Sequence, residues 1–216
     1  MKLYYSTVSS LLFEILQTLM ARGEFSMFRL VGGTSLGLFR GHRMSIDIDL
    51  FTDEEYYSVD FKLIDYYLRK TYSYVDTNDY HEISMGKSYY IGESQRNCIK
   101  LDLYYTDRFV NNVILVDNIR LASVEEIIAM KLDIIMRIGR KKDFWDINEL
   151  KDSYSIEQMA LFHEQRYPFS CNKDVLRKKL IDFSGADEDF DPVCLRGKHW
   201  ELIKLDMIDL SKELIG

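Results

Sequence analysis

Val8, Leu11, Leu12, Ile15, Leu16 and Leu19 recur at the three- and four-residue spacing that lines one face of a helix. The pattern predicts an amphipathic helix packed on a core and closed at Gly23. Phe28 to Val31 reads as a short apolar strand that runs into Gly32-Gly33. Thr34 stands where a helix cap belongs, ahead of a short helix over Ser35 to Phe39 that stops at Gly41. From Ile46 to Phe51 apolar and acidic positions alternate, the mark of a strand with two unlike faces. Tyr57 to Tyr72 returns to helical spacing, with Phe61, Ile64 and Leu68 inward. Strands are expected next over His81 to Ile91 and Asn97 to Tyr105. Val113 to Val116 and Ile119 to Leu121 flank Asp117-Asn118, a hairpin-like pair.

After this hairpin the period changes. Ser123-Val-Glu-Glu126 is a capping-box signature, and it opens a helix that runs to about Ile138, before Gly139. Further helices are expected over Asp143 to Leu150, Ile156 to Arg166, Lys173 to Phe183 and Trp200 to Leu214, with an acidic loop at Gly185 to Asp191. Strands in the first half and helices in the second make an α+β protein: a mixed sheet with flanking helices and a helical C-terminal part. The expected division is a catalytic domain over residues 1–150 and a helical region over 151–216.

Composition narrows the function classes. The 216 residues are 47% hydrophobic with only two prolines, which is an ordered globular composition. A net charge of -7 argues against a protein that coats nucleic acid non-specifically. It leaves room for a local basic groove, and basic residues do gather at Arg40, His42 and Arg43, at Arg137, Arg140, Lys141 and Lys142, and at Arg177, Lys178 and Lys179. The three cysteines are odd in number, match no zinc spacing and fit a reducing cytoplasm. Glu14 and Gln17 interrupt the first apolar run, so no signal peptide is read there. No stretch approaches the ~20 apolar residues that span a membrane.

Candidate chemistry begins with Asp47 and Asp49. Side chains two apart on a strand share a face, so these carboxylates repel each other unless a cation lies between them. Mg²⁺ takes oxygen ligands of this kind, often one or two carboxylates plus substrate phosphates. Upstream, Gly32-Gly33 follows a strand and opens a helix, which leaves backbone N–H groups free for an anion. Asp102 lies on another expected strand, beside Lys100. It would complete a metal site, act as general base, or be an exposed acid. Lys131 falls in the middle of the apolar stripe formed by Val124, Ile127, Ile128, Ile135 and Ile138. A buried lysine needs an anionic partner, either a carboxylate such as Asp143 or Asp146 or a substrate phosphate. Asp143 is placed to cap the next helix, with Asp146 one turn on.

Taken together, Val31-Gly-Gly-Thr-Ser-Leu36, Arg43-Met-Ser-Ile-Asp-Ile-Asp-Leu-Phe51, Lys131-Leu-Asp-Ile-Ile-Met-Arg137 and Lys142-Asp-Phe-Trp-Asp146 resemble the AbiEii/AbiGii-type nucleotidyltransferase toxins, within the DNA polymerase β-like superfamily. The resemblance covers roughly residues 28 to 150. It implies that Gly32, Gly33 and Thr34 hold a nucleoside triphosphate (NTP), with Arg43 and Ser45 flanking the metal strand. It implies Asp47 and Asp49 as ligands of Mg²⁺ (or Mn²⁺), Asp102 as the third acid, and Lys131 and Asp143 as a further catalytic motif supported by Asp146. One departure is that Asp133 and Ile134 follow the helix lysine where the family often has alanine. The implied activity is transfer of a nucleoside monophosphate to an acceptor hydroxyl, with tRNA as acceptor and a cognate antitoxin protein as partner. Two rivals remain: a same-fold enzyme that modifies a protein or a small molecule such as an antibiotic, and a non-catalytic interaction module.

Overall fold

The two strands that carry the suspected acids lie side by side at the centre of one sheet. The computed structural model describes residues 2–77, 85–170 and 172–214. In chain order the elements are α1 (Ser10–Met20), β1 (Arg29–Leu30), α2 (Gly32–Arg40), β2 (Asp47–Thr52), α3 (Phe61–Thr71), β3 (Tyr74–Asp76), β4 (Gly86–Ser94) and β5 (Asn97–Tyr105). They continue with β6 (Ile114–Val116), β7 (Ile119–Leu121), α4 (Val124–Arg137), α5 (Lys141–Leu150), α6 (Ile156–Arg166), α7 (Lys173–Lys179) and α8 (Trp200–Glu213). Among the described residues the strands form one seven-stranded sheet in the order β3-β4-β5-β2-β1-β7-β6. It is mixed: β2 runs parallel to β5 and β1 parallel to β7, while the other neighbours are antiparallel. The α+β mixed-sheet expectation holds.

Alternation decides what each face does. Ile48, Leu50, Leu101 and Leu103 are fully buried and join α1 and α3 in one core cluster. Asp47, Asp49, Lys100 and Asp102 occupy the opposite face, half-buried. The register sets Asp47 across from Lys100 and Asp49 across from Asp102. A second core cluster unites α4 and α5 with α6, α7 and α8 and takes in Val31 and Leu36.

Several local expectations change. The helix after β1 is not capped by Thr34. It starts at Gly32, whose φ of 66° turns the chain straight out of the strand, and Val31 takes the N-cap position without a side-chain bond. Gly41, at φ 66°, ends it as expected. The helix read from Tyr57 begins only at Phe61, because Tyr57 has a left-handed φ of 69° and Asp60 supplies the cap. Short β3 carries too little pattern to be read from sequence. The strand expected from His81 begins, within the described residues, at Gly86, and positions 81–84 lie outside them. Asp117 and Asn118 both have positive φ, as a two-residue hairpin requires.

Ser123 caps α4, accepting from Glu126 N, but the reciprocal half of the expected capping box is missing. The Glu126 carboxylate instead accepts from the backbone N–H groups of Val110 and Asn111 and pairs with buried Arg166. A full box occurs at Ser155 and Gln158, at the start of α6.

Candidate active site

Gly32 and Gly33 are needed for space. A Cβ on Gly32 would lie 2.5 Å from Asp49 Oδ2, and one on Gly33 would lie 2.3 Å from Arg43 Nη2. The first turn of α2 is therefore held directly against the acid face. Thr34, fully buried, shares a 2.7 Å hydrogen bond with Ser45 Oγ and donates to the backbone carbonyl of Asp47. Its hydroxyl joins the helix to the start of β2 and points inward, away from the cavity. Gly33→Ala is expected to push Arg43 off its partner and cost about 1–3 kcal/mol of stability, as overpacking does. A thermal melt with no loss would contradict this close packing.

Behind the acid face lies a largely buried ion network. Asp146 is fully buried and accepts from His42 Nε2 at 2.8 Å and from Arg43 Nε and Nη2, both at 2.7 Å. Lys131 Nζ bridges Asp143 Oδ1 at 2.6 Å and Asp146 Oδ2 at 2.7 Å. Arg140 Nε donates to Asp143 at 2.9 Å. Both carboxylates considered as partners for Lys131 are thus engaged. Burial by itself would raise the Asp146 carboxyl, but Arg43 and Lys131 overcome it and hold the group well below the carboxylate range. Asp143 is also lowered, with Lys131 and Arg140 outweighing its burial. Asp143 is not the cap of α5: the helix starts at Lys141 and Asp143 falls in its first turn, facing the network.

The acid face is tuned the other way. Asp49 is pushed up to about 6, first by desolvation and then by the negative charges of Asp102 and Asp47. Two lysines offset this crowding. Lys100 Nζ lies 2.6 Å from Asp102 Oδ2, and Lys142 Nζ lies 3.8 Å from Asp47 Oδ2. Ser88 Oγ donates to Asp102 Oδ1 at 2.7 Å. Burial and repulsion from Arg140 and Lys131 hold Lys142 below its ordinary value. Among the described residues no group of three or more His, Cys, Asp or Glu is set to hold a metal unaided. Crowded carboxylates without a closed cage fit a cation shared with substrate phosphates, the manner in which Mg²⁺ binds.

A cavity of about 450 Å³ opens over this face. Gly32, Gly33, Asp47, Asp49, Asp102 and Lys142 line it, and so do Phe51, Met85, Tyr105, Met130 and Tyr167. It is large enough for a nucleotide, and its lining offers both charges and rings. Of the residues singled out from sequence, Gly32, Gly33, Arg43, Ser45, Asp47, Asp49, Asp102 and Lys131 border it. Thr34, Asp143 and Asp146 lie behind its wall. His42, Lys100 and the cavity's aromatic side chains are not singled out by the sequence as site residues. Lys100 shares a strand face with Asp102, as alternation along β5 requires, and the rings Phe51, Tyr105 and Tyr167 come from three separate parts of the chain.

The family model described as "Nucleotidyl transferase AbiEii toxin, Type IV TA system" matches residues 14–213. The chain belongs to this family. Its activity class is therefore nucleotidyl transfer, and its biological class is the toxin of a toxin–antitoxin pair. Solved structures give the same fold for the AbiEii chain. JHP933 from Helicobacter pylori is 19% identical with a TM-score of 0.57, over 96% of this chain and 93% of that one. MenT4, a nucleotidyltransferase toxin from Mycobacterium tuberculosis H37Rv, is 13% identical with a TM-score of 0.50, over 92% and 84%. No curated protein sequence matches the chain. No helix among the described residues is long and apolar enough to cross a membrane.

Proposed function

We propose that this AbiEii protein moves a nucleoside monophosphate from an NTP to a hydroxyl of tRNA, with Mg²⁺ (or Mn²⁺) at Asp47, Asp49 and Asp102. The observation that carries the reading is the convergence of three carboxylates on adjacent strands at the first turn of α2. Asp49, raised to about 6 by burial and like charge, is a group in want of a cation. The bound metal would supply charge neutralisation at the reacting phosphate. The remaining work falls to side chains of the chain. Gly32 and Gly33 bring the helix N-terminus to the triphosphate. Lys131, in the wall of the first cavity, offsets charge on the departing pyrophosphate. Lys131, Asp143 and Asp146 hold Arg43 and Arg140 in place and add to the field at the wall, while Thr34 and Ser45 fix the height of Asp47. Residues 1–150 carry this chemistry, and the helical region 151–216 supplies one wall through Tyr167.

A cognate antitoxin completes the proposal, and the cytoplasm is the expected compartment for a protein with Cys98 and Cys194 unpaired. The acceptor is tested by incubating the protein with Mg²⁺, an NTP labelled at the α-phosphate, total cellular RNA and protein extract. Label is expected in the tRNA fraction. Label confined to protein or to small molecules would overturn the acceptor and keep the chemistry.

A further inference from the structure

Asp47 stands on a wall between two cavities. Beyond the first lies a second of about 430 Å³, lined by Ile46, Asp47, Lys142, Phe190, Pro192 and Val193, among others. Arg43, Ser45, Asp47, Arg140 and Lys142 border both. Displacement at phosphorus runs in line, with the attacking oxygen opposite the leaving group. Two cavities that meet at one carboxylate suit that geometry, one for the donor nucleotide and one for the acceptor.

The segment that forms the far wall is pinned on both sides. Lys141 N donates to Asp189 Oδ2 at 2.9 Å, and Lys141 Nζ donates to Asp189 O at 2.5 Å and pairs with Asp191 Oδ1 at 3.0 Å. On the other side Met44 N donates to Val193 O at 2.9 Å and Leu195 N donates to His42 O at 2.8 Å. Both aspartates turn to the start of α5, so Phe190 between them is held outward, 99% exposed. Ile46 and Val193, 73% and 66% exposed, lie beside it. A pinned loop that presents an unburied ring next to the catalytic acids gains nothing for the core. Ring and neighbouring cations, Arg140 and Lys142, are what a single strand of nucleic acid needs: a face to stack on and charges for its backbone. The depression suits a strand end rather than a duplex, and a free hydroxyl at a strand end is the 3′ one.

Resting on the functional reading above, we infer that this second cavity seats the acceptor's 3′ end, with the terminal base stacked on Phe190 and its phosphate against Lys142 and Arg140. The 3′ oxygen then forms a bond to the α-phosphorus of the NTP, the bond from that phosphorus to the bridging oxygen breaks, and pyrophosphate leaves with the electron pair. The hydroxyl proton passes to a carboxylate of the acid face and on to water.

Steady-state labelling of total tRNA by the parent, Phe190→Ala and Phe190→Trp proteins tests the assignment. Phe190→Ala is expected to raise KM for tRNA about tenfold, equal to about 1.4 kcal/mol, with KM for NTP, kcat and melting temperature near the parent's. Phe190→Trp is expected to restore KM. A parent that labels no RNA would overturn the functional reading and this assignment together. A parent that labels tRNA with KM unchanged in Phe190→Ala would overturn the assignment alone and leave the exposed patch to a protein partner.

Discussion

Asp49→Asn is expected to be inactive and yet to melt higher than the parent in metal-free buffer at pH 8. The two effects have one cause. Asp49 faces Asp47 and Asp102 on a partly desolvated floor, and its carboxyl rises from 3.8 to about 6. Between those values the folded protein binds more protons than the unfolded one, so stability falls as pH rises and the penalty is complete above about 6. A two-unit rise corresponds to roughly 3 kcal/mol. The side chain is only half-buried and keeps some solvation, so about 1–2 kcal/mol is the expected gain from asparagine, after that discount. Transfer should drop at least about 100-fold with the charge removed. Added Mg²⁺ should raise the parent's melting temperature and leave the variant's almost unchanged. A variant that melts below the parent at pH 8 would show that the charge is already compensated without metal.

The opposite sign is expected behind the wall. Asp146→Ala leaves Arg43 and Lys131 without the carboxylate they share in a fully buried place. Removing one partner of a buried ion network costs about 3–5 kcal/mol, because the remaining charges stay desolvated. Asp146 is held well below the ordinary carboxylate value. Its contribution is therefore present above that ordinary value and is lost only as pH falls through the lowered one. At pH 7 the full loss should appear in a urea titration, as a lower midpoint with little change in slope. A loss under about 1 kcal/mol would mean that the network relaxes around the gap.

How much of this was legible beforehand depends on the range of the signal. Alternation over Ile46 to Phe51 placed Asp47 and Asp49 on one face because that pattern is local. The apolar stripe around Lys131 correctly demanded an anion, and the structure supplies two. Thr34 does not cap the helix because Gly32, with its positive φ, lets the helix start two residues before it, which turns Thr34 inward. The capping box at Ser123 failed because Glu126 has a stronger partner in Arg166, forty positions on. Phe190 is out of reach for a like reason: it needs the docking of a distant loop on Lys141.

The central claim is that the acid face transfers a nucleotidyl group. Its most direct test compares NTP labelled at the α-phosphorus with NTP labelled at the γ-phosphorus, using the parent and Asp47→Ala with total cellular tRNA and Mg²⁺. The α-label is expected to enter the tRNA, the γ-label to leave as pyrophosphate, and Asp47→Ala to transfer neither. Transfer of γ-label, or α-label transfer that persists without Asp47, would contradict it.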